Sequence, residues 1–250
     1  MNVALAAAVL PPALALGSFL NVVAARLPEG RSVASPPSSC GSCGTQIAWR
    51  DNVPVVSYLL LRGRCRHCGA RIGARYPAVE VGTALLVAAC FLAFGPTADA
   101  VVASVFVAAL VVLSAIDVER RILPDKIVLP TAAAVLAAQI ALHPDRALEW
   151  VLGALGASLF LFVALLAYPK GMGMGDVKLC LLLGAMLGQA VVVALMVGML
   201  AALVPAVVLL ARHGAAARKM GIPFGPFLAF GAVAALFFGD RLLDAYLTAF

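Results

Sequence analysis

Long apolar runs, separated by short polar or glycine-rich segments, recur along this 250-residue chain, at 3–25, 79–95, 98–116, 127–142, 150–168, 177–187, 190–211 and 226–238. A run of about twenty apolar residues matches the hydrocarbon thickness of a bilayer. There the backbone must satisfy its own hydrogen bonds, and a helix does so within one segment. Composition agrees, with 64% of residues hydrophobic and 12% charged, against about 25% charged in soluble domains. The expected architecture is an all-α polytopic membrane protein with about eight transmembrane helices. Run 177–187 is well short of a full span and is expected to be tilted or partial.

The basic residues predict a topology. No Lys or Arg precedes the first run, and Arg26 follows it. A cleaved signal peptide has the opposite order, so 3–25 reads as a first transmembrane helix with its N-terminus outside. Segments 26–78, 117–126, 169–178 and 212–225 then fall inside and hold eight, three, two and three Lys/Arg, or sixteen of eighteen. Only Arg146 and Arg241 fall outside, together with Asp99, Asp145, Glu149, Asp240 and Asp244. That sorting follows the positive-inside rule. It assigns the net charge of +6 to membrane topology rather than to nucleic-acid binding. Three parts are expected: a first transmembrane helix over 1–25, a cytoplasmic zinc-binding loop domain over 26–78, and a membrane-embedded core over 79–250.

The first inside loop contains CGSCGTQI (40–47) and CRHCGARI (65–72), an internal near-repeat of Cys-x-x-Cys-Gly-x-x-Ile. Twenty-one residues separate Cys43 from Cys65, just past the usual spacing of a four-cysteine zinc site. Glycine after the second cysteine suits a tight knuckle whose N–H groups turn toward sulfur. Four thiolates, Cys40, Cys43, Cys65 and Cys68, would fill a tetrahedral shell and leave no open position, so the expected zinc is structural. Disulfides fit poorly in a loop facing a reducing cytosol. His67 is read as a spacer, and Cys90 and Cys180 as small core residues.

Two carboxylates draw the chemistry. Asp117 ends the third apolar run in SAIDVERRILPD, and Asp176 opens the sixth in GMGMGD. The helix count puts both at the cytoplasmic face, whereas Asp125 is expected on a loop behind Leu123-Pro124. An acid that close to hydrocarbon is a functional candidate by default. Two neighbouring carboxylates cannot comfortably both ionise, and such a pair can serve as base and acid on one water. Gly173 and Gly175 would let backbone approach a substrate strand and adopt torsions barred to other residues. The alternative is a helix start capped by Asp176. No H-E-x-x-H and no G-x-S-x-G offers a rival peptidase chemistry, and His67, His143 and His213 all fall in loops.

GSFLNVVAARLP (17–28), the two knuckles, DNVPVVSYLLLRGRCRHCGARI (51–72), RYPAVE (75–80), IDVERRILPD (116–125), GMGMGDVK (171–178) and PFGPFLAF (223–230) stand in the order found in bacterial type IV prepilin peptidases. From about residue 17 to 230 the chain resembles that family of GxGD-type membrane aspartyl proteases. The resemblance implies cleavage of the leader of prepilins and pseudopilins at the cytoplasmic side of the bacterial inner membrane. It also implies N-methylation of the new N-terminus from S-adenosylmethionine. By motif, the catalytic pair is Asp117 and Asp176, supported by Gly173 and Gly175, and the zinc-associated cysteines are Cys40, Cys43, Cys65 and Cys68. The methyl-donor site rests on the resemblance alone, with Glu80 as one candidate partner for positive charge; a helix-start acid is the alternative. Pro226 has a sufficient structural reason at a helix start, and Phe224, Phe227 and Phe230 suit packing.

Two other classes compete. A proton-coupled membrane transporter could use the same aspartates as a relay around a broken helix. A non-catalytic assembly protein could present the zinc loop to cytosolic partners. The expected partners are prepilin substrates and membrane lipid, with no nucleic acid.

Overall fold

The computed structural model describes residues 2–169, 172–214 and 221–249. Among residues singled out above, Lys170, Gly171, Arg218 and Lys219 lie outside the described residues, as do the side chains of Asp240 and Asp244. Every apolar run is helical: α1 (Asn2–Arg26), α3 (Arg75–Phe94), α4 (Ala98–Arg120), α5 (Asp125–Leu142), α6 (Ala147–Ala167), α7 (Met174–Leu187), α8 (Val191–His213) and α9 (Gly225–Ala249). A short α2 (Val56–Leu60) sits in the loop between α1 and α3. Among the described residues there is no strand, only two isolated bridges.

Among the described residues, six stretches are each long and apolar enough to cross a membrane. The sixth, Met174–His213, is a 40-residue helical stretch holding both α7 and α8. A 3-10 turn over Gly188–Ala190 breaks it, with Gly188 at φ 54. The apolar part of α9, Gly225–Gly239, is shorter than a span.

The chain packs as two compact units, 1–115 and 116–250, so the last turn of α4 belongs to the second. In the first unit α1 packs along α3. A Cβ on Gly17 would lie 2.6 Å from the Glu80 Cα, so glycine there allows backbone-to-backbone approach.

In the second unit α7 packs against α5, α6 and α9, and α8 packs against α9. Val177, Leu179, Cys180, Leu182, Leu183 and Ala185 of α7 are all buried. At 14 residues α7 is about 21 Å long, against about 30 Å of hydrocarbon. Protein surrounds it, and a short helix is tolerated there because it meets no lipid thickness. Cys90 and Cys180 are both fully buried, as expected of small core residues.

Glycine permits this packing. A Cβ on Gly184 would collide with the Gly153 carbonyl, and one on Gly231 with the Ala194 carbonyl. Gly184→Val is therefore expected to lower stability by about 1–3 kcal/mol or more, read as a fall in the unfolding temperature in detergent. An unchanged temperature would mean that α6 and α7 can separate freely.

Candidate active site and metal centre

Four segments of the second unit meet around Leu123. Asp117, in the last turn of α4, is 5% exposed, and Asp176, in the first turn of α7, is 8% exposed. The backbone N–H of Gly225, the first residue of α9, donates to Asp117 Oδ2 at 2.9 Å across 108 residues of sequence. The Leu123 side chain spans the gap. A Cβ on Gly175 would meet Leu123 Cβ at 3.0 Å, and one on Gly225 would meet Leu123 Cδ2 at 3.4 Å. The two carboxylates therefore share a neighbourhood in space.

Local structure explains how each is held. The N–H of Arg121 closes the end of α4 onto the Asp117 carbonyl at 2.9 Å, with Arg121 in the left-handed region at φ 55. The chain then runs extended to Pro124, the N-cap of α5. Asp125 is the first residue of α5 rather than part of a loop. Its two oxygens take Lys178 Nζ at 2.8 and 2.7 Å, tying the start of α5 to the start of α7.

Asp176 sits at the third position of α7, and its Oδ2 accepts from the Gly173 N–H at 3.2 Å. Half of a capping box is present, because Gly173 has no side chain to return the bond. Neither Gly173 nor Gly175 lies at positive φ, so torsional freedom does not explain them. At Gly175 the missing Cβ makes room for Leu123, and at Gly173 a Cβ would meet nothing nearer than 3.8 Å.

Sequence reasoning does not single out Gly225; it gives only Pro226 a helix-start role. A Cβ there would lie 2.8 Å from Asp117 Oδ2, closer than a carbon and a carboxylate oxygen tolerate. Gly225→Ala should displace the carboxylate and lower its reactivity by about a hundredfold, the scale of a misplacement near 1 Å. The check is turnover measured beside the thermal unfolding curve. A full rate in a folded variant would show that the close approach of Gly225 does not matter. The one signal in the sequence is glycine immediately before Pro226.

The cysteine loop lies in the first unit, and its near-repeat folds the same way twice. Gly44 N–H bonds the Cys40 carbonyl at 2.9 Å, and Gly69 N–H bonds the Cys65 carbonyl at 3.0 Å. Both glycines are left-handed, at φ 69 and φ 70, which is why glycine ends each knuckle. Cys40 N–H bonds Thr45 and Cys65 N–H bonds Ala70, both at 2.9 Å. Arg66 grips Asp51 with two nitrogens, at 2.8 and 2.6 Å.

The four Sγ atoms lie within 4.8 Å of one another, and Cys40 Sγ is 3.8 Å from Cys68 Sγ. A tetrahedral zinc with bonds near 2.3 Å requires sulfurs about 3.8 Å apart, so this donor set fits zinc. All six cysteines are free thiols. Backbone N–H groups turned toward sulfur hold Cys40 and Cys65 below the usual thiol pKa, chiefly those of Cys43 and Cys68 respectively. The Thr45 hydroxyl does the same for Cys43. Cys68 goes the other way. The Ala70 N–H pulls it down, but desolvation and the three neighbouring thiols push it up to about 11. These four sulfurs are placed so that they could hold a metal ion.

Residues 12–94 match the model of the bacterial Peptidase A24 N-terminal domain, and residues 104–211 that of the type IV leader peptidase family. The first match contains the cysteine cluster and the second both aspartates; Gly225 lies beyond it. A prepilin leader peptidase/N-methyltransferase of Burkholderia pseudomallei is 38% identical over 261 residues, covering 90% of this chain and 83% of that protein. One from Bacillus subtilis is 33% identical over 244 residues, covering 94% of each. One from Pseudomonas aeruginosa is 36% identical over 263 residues, covering 94% and 90%. No solved structure gave a significant match.

Proposed function

Because the chain belongs to the type IV leader peptidase family, we propose that it removes the leader of type IV prepilins and pseudopilins and then methylates the freed N-terminal amine. The observation that carries the hydrolytic half is the convergence of two buried aspartates around Leu123. One ionised carboxylate takes a proton from a water as its oxygen adds to the scissile carbonyl carbon. The other, protonated, donates to the carbonyl oxygen. Collapse then breaks the C–N bond, and the departing amine takes up a proton. Gly225 N–H fixes the orientation of Asp117, and the open side of Gly173 is where the substrate backbone lies.

In this reading the N-terminus is outside. The chain crosses the inner membrane eight times, with α7 as a protein-enclosed crossing, and both the aspartates and the cysteine loop face the cytoplasm. The basic residues support that arrangement. Zinc held by Cys40, Cys43, Cys65 and Cys68 is structural, with no position left for substrate. When bound, S-adenosylmethionine supplies an electrophilic methyl on a sulfonium, which becomes a neutral thioether as the N–C bond forms and the amine loses a proton. The transporter reading gains no support, since both aspartates lie at helix ends rather than at mid-helix.

The test is to incubate the purified enzyme with a prepilin and S-adenosylmethionine in detergent and weigh the product. A shortened, N-methylated chain is expected. An uncut prepilin would overturn the peptidase assignment, and a cut but unmethylated product would overturn the methyl-transfer half.

A further inference from the structure

The short helix α2, in the loop between α1 and α3, is inside out for a segment surrounded by water. Ser57 is its buried residue, 5% exposed; the hydroxyl donates to the Arg50 carbonyl at 2.9 Å and accepts the Val53 N–H at 3.1 Å. Val56, Leu59 and Leu60 are instead 51%, 67% and 78% exposed. Trp49, on the 3-10 turn that Ser57 ties to α2, is 85% exposed. A single exposed leucine means little, but a buried hydroxyl beside several bare apolar side chains reverses the usual sorting.

The height of α2 along α3 explains the reversal. Val55, just before α2, sits at φ 60, ψ −48, torsions a β-branched residue keeps only when its surroundings hold them. The hold is the buried Glu80, whose Oε2 accepts the Val55 N–H at 2.8 Å. Glu80 is five residues past Arg75, the first residue of the 20-residue α3. Such a helix is about 30 Å long, which is the hydrocarbon thickness itself. The Glu80 backbone is then about 7.5 Å in from the helix start, and its side chain leans back toward that end. The start of α2 is therefore held at the boundary between hydrocarbon and headgroups, not in the water beyond.

Charge suits the same boundary. Segment 26–78 holds eight arginines against two acids. Both acids are paired, Glu29 with Arg31 and Asp51 with Arg66, each at 2.6 Å. Arg50, Arg62 and Arg64, which flank the apolar residues in sequence, are exposed. Apolar and aromatic side chains edged by arginine are what a segment lying in the plane of an anionic membrane surface carries. A cytosolic protein partner would account for the bare leucines but not for their height on α3.

We propose that α2 and Trp49 form an in-plane membrane anchor. Trp49, Val56, Leu59 and Leu60 enter the headgroup–acyl boundary of an anionic bilayer, and Arg50, Arg62 and Arg64 meet lipid phosphates. The second knuckle begins at Cys65, five residues after α2 ends, so the anchor fixes the cysteine loop against the membrane instead of leaving it standing in the cytosol. The anchor requires only that α1 and α3 cross the bilayer, and is independent of the peptidase and methyl-transfer readings.

Fluorescence of the full chain in lipid nanodiscs tests this. The protein has two tryptophans, so the difference between wild type and Trp49→Phe isolates Trp49 from Trp150, which is buried. In nanodiscs containing phosphatidylglycerol the Trp49 emission should be blue-shifted and shielded from acrylamide. Lipids brominated near the carbonyl end of the acyl chains should quench it about twofold or more, as expected of an indole at that boundary. Quenching should fall in pure phosphatidylcholine and in the triple variant Arg50→Gln/Arg62→Gln/Arg64→Gln. Leu59→Glu/Leu60→Glu should return Trp49 to water, with the elution profile and unfolding curve reporting an intact fold. The wild-type measurement decides the question even if a variant does not fold. A red-shifted Trp49 that acrylamide quenches in anionic nanodiscs would overturn the anchor. So would a signal that leaves water only when a prepilin is added, since the patch would then dock a protein. Equal lipid quenching in the neutral bilayer would overturn the selection for anionic lipid.

Discussion

Replacing either Asp117 or Asp176 by asparagine is expected to lower leader cleavage by about ten-thousandfold, the upper scale of general acid–base catalysis. The magnitude follows from the proposed division of labour, in which one group accepts a proton and the other donates one, so neither can replace its partner. Asparagine is the informative substitution because it preserves the local hydrogen bonds. An amide oxygen at 117 can still accept the Gly225 N–H, and one at 176 the Gly173 N–H. A loss of activity therefore reports lost acid–base chemistry rather than a collapsed helix end. Asp145→Asn, on the turn before α6, is the matched control and should retain the wild-type rate. The measurement is cleavage of a prepilin by purified single variants in detergent, with unfolding curves taken alongside. Near-normal turnover by both would rule out the two-aspartate mechanism and leave the convergence at Leu123 as packing.

The parts of the structure legible in the sequence are those fixed by local chemistry or by the solvent. Hydrocarbon forces an apolar run into a helix whatever its neighbours are, so all eight runs could be placed. The knuckles are legible for a second reason. Each closes on itself through bonds between residues at most nine apart, such as Ile47 N–H to the Ser38 carbonyl, and the repeat in sequence becomes a repeat in structure.

What is not legible depends on distant partners. The length of run 177–187 does not reveal that α5, α6 and α9 enclose α7. No local pattern marks Gly184 as a point where α6 and α7 touch, or Gly225 as the donor to an aspartate far away in sequence. Equally hidden are the positive φ of Val55, whose N–H donates to Glu80 Oε2 at 2.8 Å, and the buried Asn21, whose Nδ2 donates to the Tyr76 carbonyl at 3.0 Å. The aspartates fall between these cases. Helix counting suggests one side for both, but only the fold brings in Leu123 and its two glycine neighbours.

Changing Cys40, Cys43, Cys65 and Cys68 together to serine is expected to remove zinc entirely and to separate the two activities. Elemental analysis of the wild-type enzyme should give about one zinc per chain, as one four-thiolate shell requires. The serine variant should give none, because hydroxyls do not replace thiolates as zinc ligands. The knuckles have little else to hold them: Cys43 and Cys68 are exposed, and their structure is a few turn hydrogen bonds. Structural zinc in such small elements supplies binding free energy of about 10–16 kcal/mol, so its loss should open 26–78 to proteolysis. Methyl transfer should be the activity lost with the folded knuckles. Leader hydrolysis should persist within a few-fold, since every residue placed at the aspartate site belongs to 116–250. Zinc retained by the four-serine variant would overturn the metal assignment. Equal loss of cleavage and methylation in a stable, zinc-free protein would mean instead that the cysteine loop is needed for the peptidase as well.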